Sequence, residues 1–82
     1  MLKKAPIVVS ITPKNLTFIR KYYLNIHRIT MATLVGMNDY YVKKGETTPD
    51  SKEALILCDY IRQLYEKIKD EPRYSERGII LQ

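Results

Sequence analysis

The sequence predicts a mostly α-helical chain that opens on one short N-terminal β-strand. Three observations carry this. Within "PIVVSITP", Ile7, Val9 and Ile11 alternate with Val8, Ser10 and Thr12, a period of two rich in β-branched residues. Beyond it, apolar residues recur at intervals of three and four in three successive stretches. Each of those stretches also begins with a residue suited to cap a helix. A chain of 82 residues is one small domain, or a domain with an extension. At that size only about 60% of the unfolded surface is buried on folding, so oligomerisation is a common remedy.

The strand is expected over residues 7–12. Thr12 offers a cap oxygen, and Pro13 suits the first helical position because its missing N–H would have no partner there. Leu16, Ile19, Tyr23 and Ile26 then mark a first helix of about three turns. It ends near residues 25–28, with Asn25 and His27 as candidates for an irregular turn. Thr30 is the expected cap of a second helix, whose Leu34, Met37 or Asn38, and Tyr41 keep helical spacing. Gly36 lies inside this helix as a weak spot or a point of close backbone approach. Lys43 and Lys44 suit the helix C-terminus, with Gly45 just beyond. After "ETTPDS", a third helix opens at Thr48 with Pro49, or at Asp50 with Glu53 as a capping box. Its stripe is Ala54, Leu57, Cys58, Ile61, Leu64, Tyr65 and Ile68, and it runs to about Asp70, before Pro72. The final "GIIL" is too short to assign. Two units follow: residues 1–45, and a C-terminal helical extension over residues 46–82.

Composition excludes several classes. Hydrophobic residues make up 45% and charged residues 28% of the chain, which is globular rather than disordered. The single cysteine, Cys58, rules out an internal disulfide and a cysteine-based zinc site, and fits a cytoplasmic setting. No apolar run approaches the ~20 residues of a membrane span. His27 has no second histidine to share a metal with, so it reads as a turn residue and no metal or cofactor is expected. No nucleophile with an orienting base, carboxylate pair or phosphate-binding glycine loop is visible, so the chain is not read as an enzyme. Cys58, on an apolar stripe, reads as core. In each of the pairs Tyr22–Tyr23 and Tyr40–Tyr41, one ring is expected inside and the other at the surface.

Charge is uneven. Residues 1–44 carry eight basic residues against Asp39, whereas residues 45–82 carry six basic and eight acidic. A basic first half points to an anionic partner, nucleic acid first.

A strand needs a partner for its backbone groups. Here that is either "GIIL" or the same strand of a second copy. The second option, with the basic start, the Thr-Pro helix opening, the short turn and the Thr-capped second helix, resembles the ribbon-helix-helix DNA-binding family over residues 3–44. The resemblance implies an obligate dimer with an intermolecular, two-stranded antiparallel ribbon in the major groove of double-stranded DNA. Lys4, Pro6, Val8 and Ser10 would read bases, and Val8 suits a thymine methyl. Lys3, Lys14 and Arg28 would contact phosphate, and Thr30 and Met31 would clamp one at a helix N-terminus. Ile7, Val9 and Ile11 would join the copies. Leu57, Ile61, Leu64 and Ile68 of the third helix would build a tetramer or hold a protein partner. The expected function is that of a transcriptional repressor or an accessory protein of plasmid or phage DNA. Two alternatives stand beside it. One is a small inhibitor or adaptor that binds protein rather than DNA, with residues 7–12 paired to the C-terminal segment. The other is a helix-turn-helix DNA binder using residues 14–26 and 31–43.

Overall fold

The computed structural model describes residues 5–82 of the chain. Strand β1, Ile7–Val9, pairs in parallel with β2, Ile79–Leu81, so the first and last strands of the described chain lie side by side. Ile7 faces Ile79, Val8 faces Ile80 and Val9 faces Leu81. The ladder runs on past the strands. Ile7 N–H donates to the Gly78 carbonyl at 2.8 Å, Gln82 N–H to Val9 at 3.0 Å, and Ile11 N–H to Gln82 at 2.7 Å. Of the two partners open to the strand, the chain itself supplies "GIIL", the pairing expected of the protein-binding alternative. Arg62 fastens the end of the strand by donating to the Ile11 carbonyl at 3.1 Å.

Between the strands run five helices. The first, α1, spans residues 13–24 and changes pitch along its length, from a tight turn at Pro13–Asn15 to a wide π-helical stretch at Ile19–Leu24. Thr12 stands at its cap position in extended conformation, although its hydroxyl caps nothing. Asn25 ends it at φ 56°, the left-handed conformation that asparagine tolerates best after glycine. His27 follows as the extended residue before α2, Arg28–Val35. Helix α3 is Asp39–Thr47, α4 is Lys52–Ile68 and α5 is Pro72–Ser75.

The second helix thus departs from expectation. Instead of one helix capped by Thr30, there are two, α2 and α3, divided at Gly36. Gly36 is neither a weak spot nor a close approach. Its φ is +80° and a Cβ there would meet nothing within 4 Å. The third helix also starts differently: Ser51, rather than Thr48 or Asp50, caps α4 by accepting from Ala54 N–H at 3.2 Å.

One core serves the whole chain. It joins Val9, Ile11, Leu16, Ile19 and Tyr23 to Met31, Val42, Leu57, Cys58, Ile61, Ile68 and Leu81. The expected boundary at residue 45 therefore falls inside α3 and inside this core. Leu57, Ile61 and Ile68, assigned above to an oligomer interface, are spent on the chain's own interior, and Leu64 packs against it half-buried. A chain without the third helix would lack a third of its core, including Leu57, Cys58 and Ile61. Val9 and Ile11 are likewise buried within the chain, but Ile7 is 57% exposed. Burial pushes the Cys58 thiol up from its ordinary value, as suits an inert core residue. Tyr23 is 1% exposed, and desolvation, followed by the neighbouring Tyr65 and Tyr74, pushes its phenol up to about 12. No helix among the described residues is long and apolar enough to cross a membrane.

Candidate nucleic-acid interface

Helix α3 and the turn that leads into it present polar and aromatic side chains together at the surface. The turn takes three residues. Gly36 and Met37 both donate to the Ala32 carbonyl at 2.9 Å, closing α2 with a left-handed glycine cap. Met37 packs against the core. Asn38 then caps α3, its side-chain oxygen accepting from Tyr40 N–H at 2.9 Å. A glycine stop followed two residues later by an asparagine start is what changes the chain's direction between the helices.

Helix α3 is fixed on its inner side. Val42 is fully buried, and Gly45 lies against the first turn of α4. A Cβ on Gly45 would stand 2.6 Å from Leu57 Cδ1 and 3.1 Å from the Ala54 nitrogen, so only glycine allows the two helices this approach. Two arginines hold the ends. Arg20 of α1 grips Glu46 with Nε at 2.6 Å from Oε2 and Nη2 at 3.2 Å from Oε1, while its Nη1 donates to the Ile26 carbonyl at 3.0 Å. Thr17 adds a bond to the same carboxylate at 3.3 Å. Arg28 of α2 grips Asp39 at 2.8 and 3.2 Å. Its hydrogen bond, then its charge, holds the Asp39 carboxyl below the ordinary carboxylate range.

The outer side of α3 presents Tyr40, Lys43, Lys44 and Thr47, which border a shallow recess completed by Thr48. Tyr40 is 64% and Tyr41 47% exposed, the rings edge to face at 5.5 Å. The pair Tyr22–Tyr23 divides as expected, one out and one in; this pair does not, and both rings face solvent. Lys44 shares its charge with the buried Glu53 at 3.7 Å, which leaves Lys43 as the freer cation.

The residues expected at a DNA interface are scattered. Lys3 and Lys4 lie outside the described residues. Pro6, Val8 and Ser10 are exposed on β1, and Lys14 is exposed at the start of α1. Thr30 is exposed near the start of α2, but Met31 cannot clamp a phosphate: its side chain is buried and its N–H donates to the His27 carbonyl at 3.0 Å. Arg28 is engaged with Asp39. The sequence reading puts Asn38 inside a helix, weighs Tyr40 as half of a core-and-surface pair and does not single out Thr47; the signal for the break at Asn38 is "GMN", a helix stop and start within three residues. Among the described residues no group of acidic, cysteine and histidine side chains is placed to hold a metal. No family model, no curated protein and no solved structure matches this chain.

Proposed function

We propose that the chain binds double-stranded DNA through a helix-turn-helix formed by α2 and α3, with α3 entering the major groove. The observation that carries this reading is the pair of short helices joined by a three-residue, glycine-capped turn, the second helix locked inside and polar outside. A motif of this kind lays its second helix in the groove and carries the first across the sugar-phosphate backbone. Asn38, Tyr40, Lys44 and Thr47 are then the residues facing base edges, and Lys43 and, near the start of α2, Thr30 face phosphate. The role is that of a transcriptional repressor or of an accessory factor on plasmid or phage DNA.

The test is binding of the full chain to random duplex DNA at several salt concentrations. Affinity should fall steeply with salt through release of counterions, and Lys43→Ala should lower the slope of log K against log salt by about one. A flat salt dependence would sink DNA binding altogether.

A second reading keeps the ribbon of a ribbon-helix-helix dimer. It is favoured by one observation: the edge of β1 turned away from β2 is open, and Val8 and Ser10 face outward on it. Two copies joined there would present Pro6, Val8 and Ser10 to the groove. The two readings separate cleanly. Ser10→Ala should weaken preference for a specific site only if the ribbon reads it, and Tyr40→Ala only if α3 does.

A further inference from the structure

In a parallel pair, alternate residues point their backbone groups at the partner strand. Residues 7, 9 and 11 bond toward β2, so the Val8 N–H and carbonyl and the Ser10 N–H point the other way. The Ser10 carbonyl is taken, by Thr12 N–H at 3.0 Å and Asn15 Nδ2 at 2.9 Å. Among the described residues these two donors and one acceptor have no partner, and they stand in a row beside Val8, whose side chain is 53% exposed. Such an edge is a template for another strand. It is also walled. Asn15 and Phe18 of α1 border it with Ile7, Val8, Val9 and Ser10, and the trough continues from Ile7 and Phe18 to Tyr22 and Ile79. Phe18 and Tyr22 stand with ring centroids 4.9 Å apart, giving the trough an aromatic floor.

Charge selects the occupant. The trough ends at Lys21, Asn25 and Arg77. Lys21 has no ion-pair partner among the described residues, and Arg77, tied to the Tyr23 carbonyl and stacked at 4.9 Å from the Tyr74 ring, is fixed in place. Among the described residues no carboxylate lines either half of the trough. A second copy of β1 would bring no carboxylate to Lys21 and Arg77, since the sequence has no acidic residue before Asp39.

We infer that the free edge of β1 and the trough beside α1 form a docking site for an extended segment of a partner protein, apolar at alternate positions and flanked by acidic residues. Main-chain bonds to Val8 and Ser10 supply the attachment, and the aromatic floor with the Lys21–Arg77 end supplies the selection. This surface is separate from the outer face of α3, so the chain would carry DNA on one element and a protein partner on another.

The experiment titrates the full chain into a fluorescein-labelled synthetic peptide of alternating valine and threonine with glutamates at both ends. Binding is expected, weakened by about tenfold when lysines replace the glutamates or when Lys21→Glu reverses the receiving charge. Lys21 is exposed, so this variant folds, and Val8→Pro removes an edge donor that β2 does not use; it should abolish binding while circular dichroism stays unchanged. Lys43→Ala, which tests DNA binding, should leave the peptide affinity as it was. The inference is overturned if the chain does not bind the peptide, if Lys21→Glu binds it as well as the parent does, or if sedimentation shows a dimer that Val8→Pro dissolves, since the edge would then belong to a second copy.

Discussion

Helix α3 is held at each end by an arginine and a carboxylate, and the two junctions are built alike but placed differently. At its C-terminal end, Arg20–Glu46 leaves only 10% and 7% of the side chains exposed. At its N-terminal end, Arg28–Asp39 leaves 39% and 37%. Both pairs are bidentate, so geometry does not distinguish them. Solvent does. A buried pair has lost its hydration, and each partner depends on the other and on the surrounding bonds from Thr17 and to Ile26. An exposed pair exchanges one set of polar contacts for another at little net gain. The inner junction therefore fixes where α3 lies, and the outer one only trims the turn that enters it.

Breaking the inner junction should have the largest effect. Glu46→Ala strands the Arg20 charge beneath α3 and should cost about 3–5 kcal/mol, a large share of the roughly 5–15 kcal/mol that holds a small domain folded. A urea titration followed by circular dichroism measures it. Replacing both partners, Arg20→Met with Glu46→Leu, should restore much of the loss, because removing the pair is milder than removing half of it. A loss from Glu46→Ala no larger than that of a surface substitution would mean that α3 is positioned by apolar packing alone.

Next in size is the contact one residue away. Alanine is the better helix former by up to about 1 kcal/mol, so Gly45→Ala would stabilise α3 if the helix stood alone. Here the new Cβ meets Leu57 Cδ1 at 2.6 Å and the α4 backbone at 3.1 Å. Leu57 is held in the core and the α4 backbone cannot yield, so the helices must separate. Overpacking of this kind costs about 1–3 kcal/mol, so the sign should reverse to destabilisation. Thermal melts of Gly45→Ala against the parent decide it, and a raised midpoint would show that α3 and α4 are free to slide.

These two residues also mark how far the sequence could be read. The α4 stripe was plain from periodicity, because a seventeen-residue helix repeats its pattern often enough to stand out. Asn25 was legible as a turn because no glycine competed for the role. Helices of eight and nine residues give barely two turns each, and their apolar positions, Met31, Val35 and Val42, happen to fit one continuous helix. The division was carried instead by Gly36 and Asn38, read there as interior residues. What the α4 stripe packs on was not legible either, since periodicity gives a face and no partner. Nor was the inner junction: Arg20 and Glu46 are 26 residues apart, on opposite sides of the divide between a basic half and an acidic half. Counting charge by halves assigned Arg20 to a surface, whereas it is neutralised inside. The exposed cations that remain are fewer, and Lys43 and Lys44 stand out among them because α3 turns them outward.

The smallest effect belongs to the outer junction, and it is where the comparison is sharpest. The folded Asp39 carboxyl is held down by Arg28, so its contribution is present above the ordinary carboxylate range and is lost as pH falls through its lowered folded value. Asp39→Asn should remove that acid-side component and lower the thermal midpoint slightly at neutral pH. Because the pair is exposed, salt should erase the difference: in about 1 M salt the screening length falls to about 3 Å, and parent and variant should melt together. Glu46→Ala should behave oppositely, its deficit persisting in salt because no ions reach a buried pair. Melting both variants at low and high salt thus separates the two junctions in one series. If the Asp39→Asn deficit persisted undiminished in high salt, the N-terminal end of α3 would be anchored as firmly as its C-terminal end, and the turn at Gly36 would be a rigid part of the motif rather than an adjustable one.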